Sequence, residues 1–483
     1  MKRIVLVLVA SFSMLFCEAQ VGTLSLRDKG KVLAPGSYQT FYINGDTSTI
    51  LVEQNASLLN ARYELIRMDM NQNELARVRY KREKGRYYLD GFDNPSSIDL
   101  LVCEHDEDAN TLKTFHERRD PKTLEATGSP RMLHSMSGSK KDKVGLVYRH
   151  SPDYNLQACV YVLKREDERA EAKVSLYSRQ YEEYWSMTTR LHVLDFALVS
   201  DSGEVIIGGW GQKKDYSEAA FEVTVLDGEK DATYQFTCSE GRIMEVTFAN
   251  YTEGRVQLFA LVREDRNKDN GSQINRLLSL CYNTKTGKLT THVHHLTAQE
   301  INCLYNEDYG TRAKSSVRFL QIDGISPAPD GHYDVLLSQS WTIYSQGGDS
   351  YARNGLLVAT VDRDGQFTRI HTRHMESYVV RYRKPMNLPC LMRTEGGSLL
   401  FYTQHASSAD RTLNRSVKKY IPGKDKGVLT TVFFPDEGQP EAQNIGISKY
   451  GVYGLPKRID DKSFLFFFRD NGKAQIGMFK LQR

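Results

Sequence analysis

The segment from Val317 to Arg369 constrains the fold most, because it spells out one four-stranded unit. An apolar run, Val317-Arg318-Phe319-Leu320-Gln321-Ile322, precedes Pro329-Asp330-Gly331, and Tyr333-Asp334-Val335-Leu336-Leu337 begins a second strand. After a longer polar stretch, Gly355 to Val361 makes a third strand, Asp362-Arg363-Asp364-Gly365 a tight turn, and Gln366 to Ile370 a fourth. Both turns carry Asp-Gly, which supplies the positive φ that tight hairpins require, so the flanking strands pair antiparallel.

The same pattern recurs about eight times, found through a turn followed by a short apolar second strand. These strands are Ser48–Val52, Ile98–Val102, Val144–Tyr148, Val205–Gly209, Val256–Ala260, Val335–Leu337, Leu399–Tyr402 and Phe464–Phe468. Third strands follow, as at Arg62–Ile66, Phe221–Val225 and Leu277–Leu280. Many are apolar at consecutive positions, which predicts sheets covered on both faces. Helical periodicity is sparse, with Gln180 to Arg190 the one short candidate.

The last unit lacks a fourth strand, since the chain ends soon after Gln475–Lys480, while Gly22–Leu26 is a strand with no unit of its own. The two are expected to pair, closing the ring and removing exposed sheet edges. Over residues 20–483 the chain thus resembles the β-propeller superfamily: all-β, one domain of about eight four-stranded blades, with seven as the alternative. The resemblance is architectural. Trp-Asp repeats, kelch double glycines and sialidase-type boxes are absent from the sequence.

Residues 1–19 read as a signal peptide, with Lys2-Arg3, an apolar stretch from Ile4 to Phe16, and Ala19 before Gln20. A lipoprotein reading through Cys17 is disfavoured by bulky Phe16. The expectation is an exported protein, periplasmic or extracellular, with no transmembrane segment. Without those residues, 62 basic and 59 acidic side chains remain, a formal charge of +3. Near-neutrality points away from nucleic acid. Six cysteines remain, too widely spaced for a small disulfide scaffold, with Cys281 and Cys303 the first pair to test.

Strand direction alternates, so connections from second to third strands and from unit to unit emerge on one face. Nearly every long connection is assigned to that face: residues 179–190, 210–219, 264–275, 297–315, 341–354, 372–385, 404–414 and 435–450. Binding residues concentrate on such loops. The candidate binding residues are Trp185, Trp210, Tyr305, Tyr309, Arg312, Trp341, Tyr344, Tyr351, Arg353, Arg381 and Arg383. Aromatic rings offer flat apolar platforms, and arginine offers paired donors for carboxylate or sulfate.

Asp265, Asn267 and Asp269 resemble the first half of a calcium loop, the one cofactor the sequence suggests, but Gly271 falls one place late and Arg276 stands where a bidentate acid belongs. His292 and His294 share one side of an outer strand and form a weaker metal candidate. Glu182-Glu183, Glu307-Asp308 and His374 with Glu376 are the acid–base candidates. The favoured reading is a monomeric, non-catalytic binding module for a glycan or an envelope protein. Its alternatives are a polysaccharide lyase or glycoside hydrolase on anionic substrates, and a structural subunit of an envelope assembly.

Overall fold

In the computed structural model, seven of the eight apolar runs are second strands of antiparallel sheets. The model describes residues 21–482, apart from 27–36, 41–46, 55–61, 212–218, 264–272, 308–315, 344–349, 380–388, 409–415 and shorter stretches of up to four residues. Among the described residues there are seven four-stranded sheets, spanning 37–81, 86–137, 143–191, 196–238, 242–295, 320–379 and 390–448. The exception among the runs is Val144–Tyr148, which lies in Lys143–His150, the first strand of the third sheet. That strand is apolar because Val144, Leu146 and Tyr148 pack toward the second sheet while Val147 packs toward the fourth.

The final sheet is closed as the sequence predicts. Gly22–Leu26 pairs antiparallel with Lys473–Leu481, from Gly22 opposite Leu481 to Leu26 opposite Gly477. A Cβ on Gly22 would fall 2.3 Å from the Phe479 ring, so only glycine lets the strand lie this close. Its amide donates to Gln443 Oε1 of the seventh sheet at 2.9 Å.

Seven apolar clusters each join one sheet to the next, from first-to-second through seventh-to-eighth. Successive residues of one strand serve opposite neighbours. In Arg255–Arg263, Val256, Leu258, Ala260 and Val262 face the fourth sheet, while Phe259 and Leu261 face the sixth. This explains the consecutive apolar positions: each sheet is a slab sealed on both faces. Between the seventh and eighth sheets the ring of Phe401 meets Phe464, Phe466 and Phe479 edge-on at 4.7–5.5 Å. From the third sheet to the seventh, the first strands lie beside one another, which sets them innermost and the fourth strands at the rim.

Cys103, Cys159, Cys281, Cys303 and Cys390 are buried free thiols, so Cys281 and Cys303 are not bonded to each other. The Cys281 thiol points at the Arg363 carbonyl and the Cys303 thiol at that of Leu356. Burial pushes the Cys303 and Cys390 thiols up to about 12.

Candidate functional site

Connections distribute much as the alternation of strands requires. The longest, 296–319, 406–426 and 264–275, all lie on the predicted face. Three predicted loops hold fourth strands instead, residues 372–385 among them through Phe367–Val379 of the sixth sheet. Glu441–Ser448 is the fourth strand of the seventh sheet, and Glu183–Leu191 that of the third. The third hairpin closes early because Tyr181 adopts a left-handed φ of 59° and the Ser178 amide bonds the Glu182 carbonyl at 2.9 Å. Trp185 therefore sits on a rim strand near the opposite face, with its indole against Gly228 of the fourth sheet, where a Cβ would lie 2.8 Å away. Trp210 lies within the strand Val205–Gly211.

The sixth sheet dominates the described part of the long-connection face. Its strands Tyr333–Ile343, Ser350–Val361 and Phe367–Val379 run 11 to 13 residues, against 7 to 9 for the corresponding strands of the third and fourth sheets. Trp341, Tyr351 and Arg353 are thus on strands, paired as Trp341 with Ala352, Thr342 with Tyr351 and Ser340 with Arg353. A bulge at Gly355, φ 43°, sets the extension off from the apolar core strands. There the helix Ala298–Leu304 presses in, and a Cβ on Gly355 would meet the Cys303 carbonyl at 2.3 Å.

Register decides which side chains share a side of this extension. Trp341, Ala352 and Tyr378 fall on one side, with Ile343 and Ser350 beyond them. Two aromatic rings thus flank a floor of small residues across about 10 Å, twice the strand spacing. Trp341 is half-buried and Ile343 exposed. Lys419 brings its ammonium 4.8 Å from the Tyr378 ring centre.

The other side carries Arg353, which pairs with Asp323 at 2.6 Å, the two side chains only 3% and 9% exposed. Arg353 also donates to Tyr351 Oη at 3.0 Å. This arginine braces the extension from inside.

Phe319 was not singled out from the sequence, yet it is the most unusual residue on this face. It is 51% exposed and holds φ at 57° immediately before the innermost strand Leu320–Pro327. A bulky residue in the left-handed region is strained and persists only where its surroundings enforce it. Here the Ser340 amide donates to the Phe319 carbonyl at 3.0 Å, and Gln339 Nε2 to the Arg318 carbonyl at 3.1 Å. The Arg318 amide in turn donates to Tyr305 Oη at 3.1 Å. Tyr305 caps the helix and is fixed by its own amide bonding the Ile301 carbonyl. These bonds set Phe319 beside Ser340, one residue from Trp341.

A strap from the seventh sheet completes the surface. Tyr420 forms a parallel bridge with Ser377, its carbonyl taking the Tyr378 amide at 3.0 Å and its amide donating to the Glu376 carbonyl at 2.8 Å. Asn306 ties the strap to the helix, receiving the Val417 amide and donating to the Val417 carbonyl, both at 2.9 Å. Its Nδ2 also reaches Glu376 at 3.0 Å, which ties Glu376 to the strap, and His374 is buried.

Tyr309, Arg312, Tyr344, Arg381, Arg383, Asp265, Asn267, Asp269 and Asp308 lie outside the described residues. Of the histidine pair, His294 bonds Glu300 at 3.0 Å, and Glu300 also closes the capping box of the helix with Thr297. Among the described residues no three histidine, cysteine or acidic side chains converge as metal donors, and no helix is long and apolar enough to cross a membrane.

No family model matches the chain, and no curated protein matches it. Among solved structures it is similar to the WD40 domain of SCAP from fission yeast, at 7% identity and a TM-score of 0.42, over 95% of this chain and 98% of that one. It is also similar to the β-propeller domain of the Trilobed protease from Pyrococcus furiosus, at 10% identity and 0.35, over 86% and 94%. The Dos1 propeller is similar at 10% identity and 0.32, over 93% and 95%. The order of its own sheets, with the N-terminal strand paired into the last of them, makes the chain a β-propeller.

Proposed function

We propose that this protein is an exported, non-catalytic binding module that holds a glycan or an envelope protein on its long-connection face, at the extended end of the sixth sheet. One observation carries the reading: an exposed phenylalanine, Phe319, is held in a strained backbone conformation opposite Ser340, the chain neighbour of Trp341, by the Ser340 amide on its carbonyl and by the bonds that Arg318 makes with Gln339 and Tyr305. Folding alone gains nothing from exposing that ring, whereas a ligand with an apolar face gains a preformed surface. The small floor at Ala352 between Trp341 and Tyr378 suits the width of a sugar ring or a single peptide side chain. Lys419 over Tyr378 favours ligands that also bear an acceptor or negative charge.

The test is a glycan array and an envelope-extract pull-down with the mature chain and its Trp341→Ala variant. The reading expects a ligand whose signal falls at least tenfold in the variant, with the melting temperature within about 2 °C. A melting temperature lowered by 8 °C or more with the signal intact would make Trp341 a packing residue and overturn it.

A further inference from the structure

Charge is unevenly placed along the chain. Residues 380–389 join the sixth sheet to the seventh, and residues 406–426 join the second and third strands of the seventh, so both connections emerge on the long-connection face. Together they hold nine basic and two acidic side chains, whereas the rest of residues 20–483 holds 53 basic against 57 acidic. Near-neutrality of the whole therefore hides a basic end at the seventh sheet and a slightly acidic remainder.

The strap fixes four of these cations in place. Val417 and Tyr420 are buried, while Lys418 and Lys419 between them are exposed. Asn306 holds Val417, and the Lys418 amide donates to the buried Ser408 Oγ at 2.8 Å. The Tyr420 ring packs so closely on Gly427 that a Cβ there would lie 2.8 Å from its hydroxyl. Beyond Tyr420 the chain turns, with the Lys424 and Asp425 amides on the Ile421 carbonyl at 3.1 and 3.0 Å. Lys424 and Lys426 stand exposed. The Asp425 carboxylate is engaged within the turn, where it accepts the Ile421 amide at 2.8 Å. Lys419 meets Glu376 at 3.7 Å, with 47% and 28% of the two side chains exposed, a pairing that holds the ammonium only weakly in water.

These cations border the aromatic surface. Lys419 lies against Tyr378, and register places Tyr378 on the side of Ala352 and Trp341. A carboxylated or sulfated sugar carries an apolar C–H face and a negative group on one ring, which matches an aromatic floor edged by ammonium groups. An acidic peptide has no such flat face beside each charge. A nucleic acid bears a charge on every nucleotide and along its length would meet the acidic remainder of the chain.

We propose, resting on the binding reading above, that the ligand of this face is an acidic polysaccharide, its sugar rings on Trp341 and Tyr378 and its carboxylates or sulfates along Lys418, Lys419, Lys424 and Lys426. The experiment measures binding of the full mature chain to alginate and to dextran sulfate, which separate carboxylate from sulfate, by biolayer interferometry. Neutral dextran, polyglutamate and oligothymidylate serve as comparisons. At least one acidic polysaccharide binds, and its affinity falls at least about tenfold as salt rises from about 20 to about 200 mM. Lys418→Ser with Lys419→Ser weakens it about tenfold, and so does Trp341→Ala. Lys140→Ser with Lys141→Ser makes the same charge change at exposed positions of the same face, between the second and third sheets, and leaves binding unchanged. If the variant at Lys418 and Lys419 does not fold, Lys424→Ser with Lys426→Ser decides. Binding of neither acidic polysaccharide, an equal loss in the variant at Lys140 and Lys141, insensitivity to Trp341→Ala, or tighter binding of polyglutamate or oligothymidylate would overturn the proposal. Neutral dextran bound through Trp341, with neither acidic polymer bound, would overturn it while leaving the binding module standing.

Discussion

Arg353 and Asp323 meet at 2.6 Å inside the sixth sheet, one on its third strand and the other at a bulge in its innermost strand. Both side chains are withdrawn from water, so the pair holds the extended hairpin onto the inner strand that Phe319 precedes. Removing one partner leaves the other charge buried alone, which costs roughly 3–5 kcal/mol. Arg353→Met is expected to lower the unfolding free energy measured by urea titration by that amount, and Arg353→Met with Asp323→Leu to recover most of it. A single substitution costing under 1 kcal/mol would show the pair to be idle.

Closure of the last sheet rests on a glycine. Gly22→Val would force a side chain into the Phe479 ring and the Lys480 carbonyl, at 2.3 and 2.4 Å from the Cβ position. The strand then separates, and its loss exposes Phe479, Phe464 and Phe401 together. Differential scanning calorimetry should show a fall of many degrees, and hydrogen exchange should show the amides of Lys473–Leu481 losing protection first.

His134 gives the fold an acid-sensitive element. Burial, with Lys173 at 3.4 Å, lowers its pKa to about 4. The unfolded chain binds this proton at its ordinary value near 6.5, and the native chain only near 4. Protons thus favour unfolding between those values, and stability drops as pH falls from about 6.5 to about 4. His134→Phe keeps the ring contact with Tyr161, now 4.3 Å, and is expected to flatten the fall. Urea titrations of both proteins at pH 7.5 and 4.5 check this; equal slopes would exclude His134 as the source.

The sheets were legible because slabs sealed on both faces demand apolar runs such as Val256–Ala260, and Asp-Gly turns such as Asp364-Gly365 mark their ends. The terminal strand was legible as an element without a unit. The extents of strands were not, since residues 341–343 and 350–353 pair on beyond the bulge at Gly355, where the Arg353–Asp323 pair braces them and no apolar run marks them. Trp185 was misplaced because the left-handed turn at Tyr181 carries no glycine. Phe319 carried no sequence signal at all. Its conformation is imposed by groups at Ser340, Gln339 and Tyr305, which are brought to it by the tertiary fold.

Phe319→Gly therefore tests the account most directly. Glycine adopts φ near 57° without strain, so a ring kept only for its surroundings would be missed by the fold, and a ring kept for a ligand would not. The measurement is the melting temperature of the variant together with its signal for the ligand found on the array or in the pull-down. The account predicts a stability unchanged or raised by up to about 1 kcal/mol, with binding reduced at least tenfold. A variant that melts well below the parent while binding as strongly would contradict it.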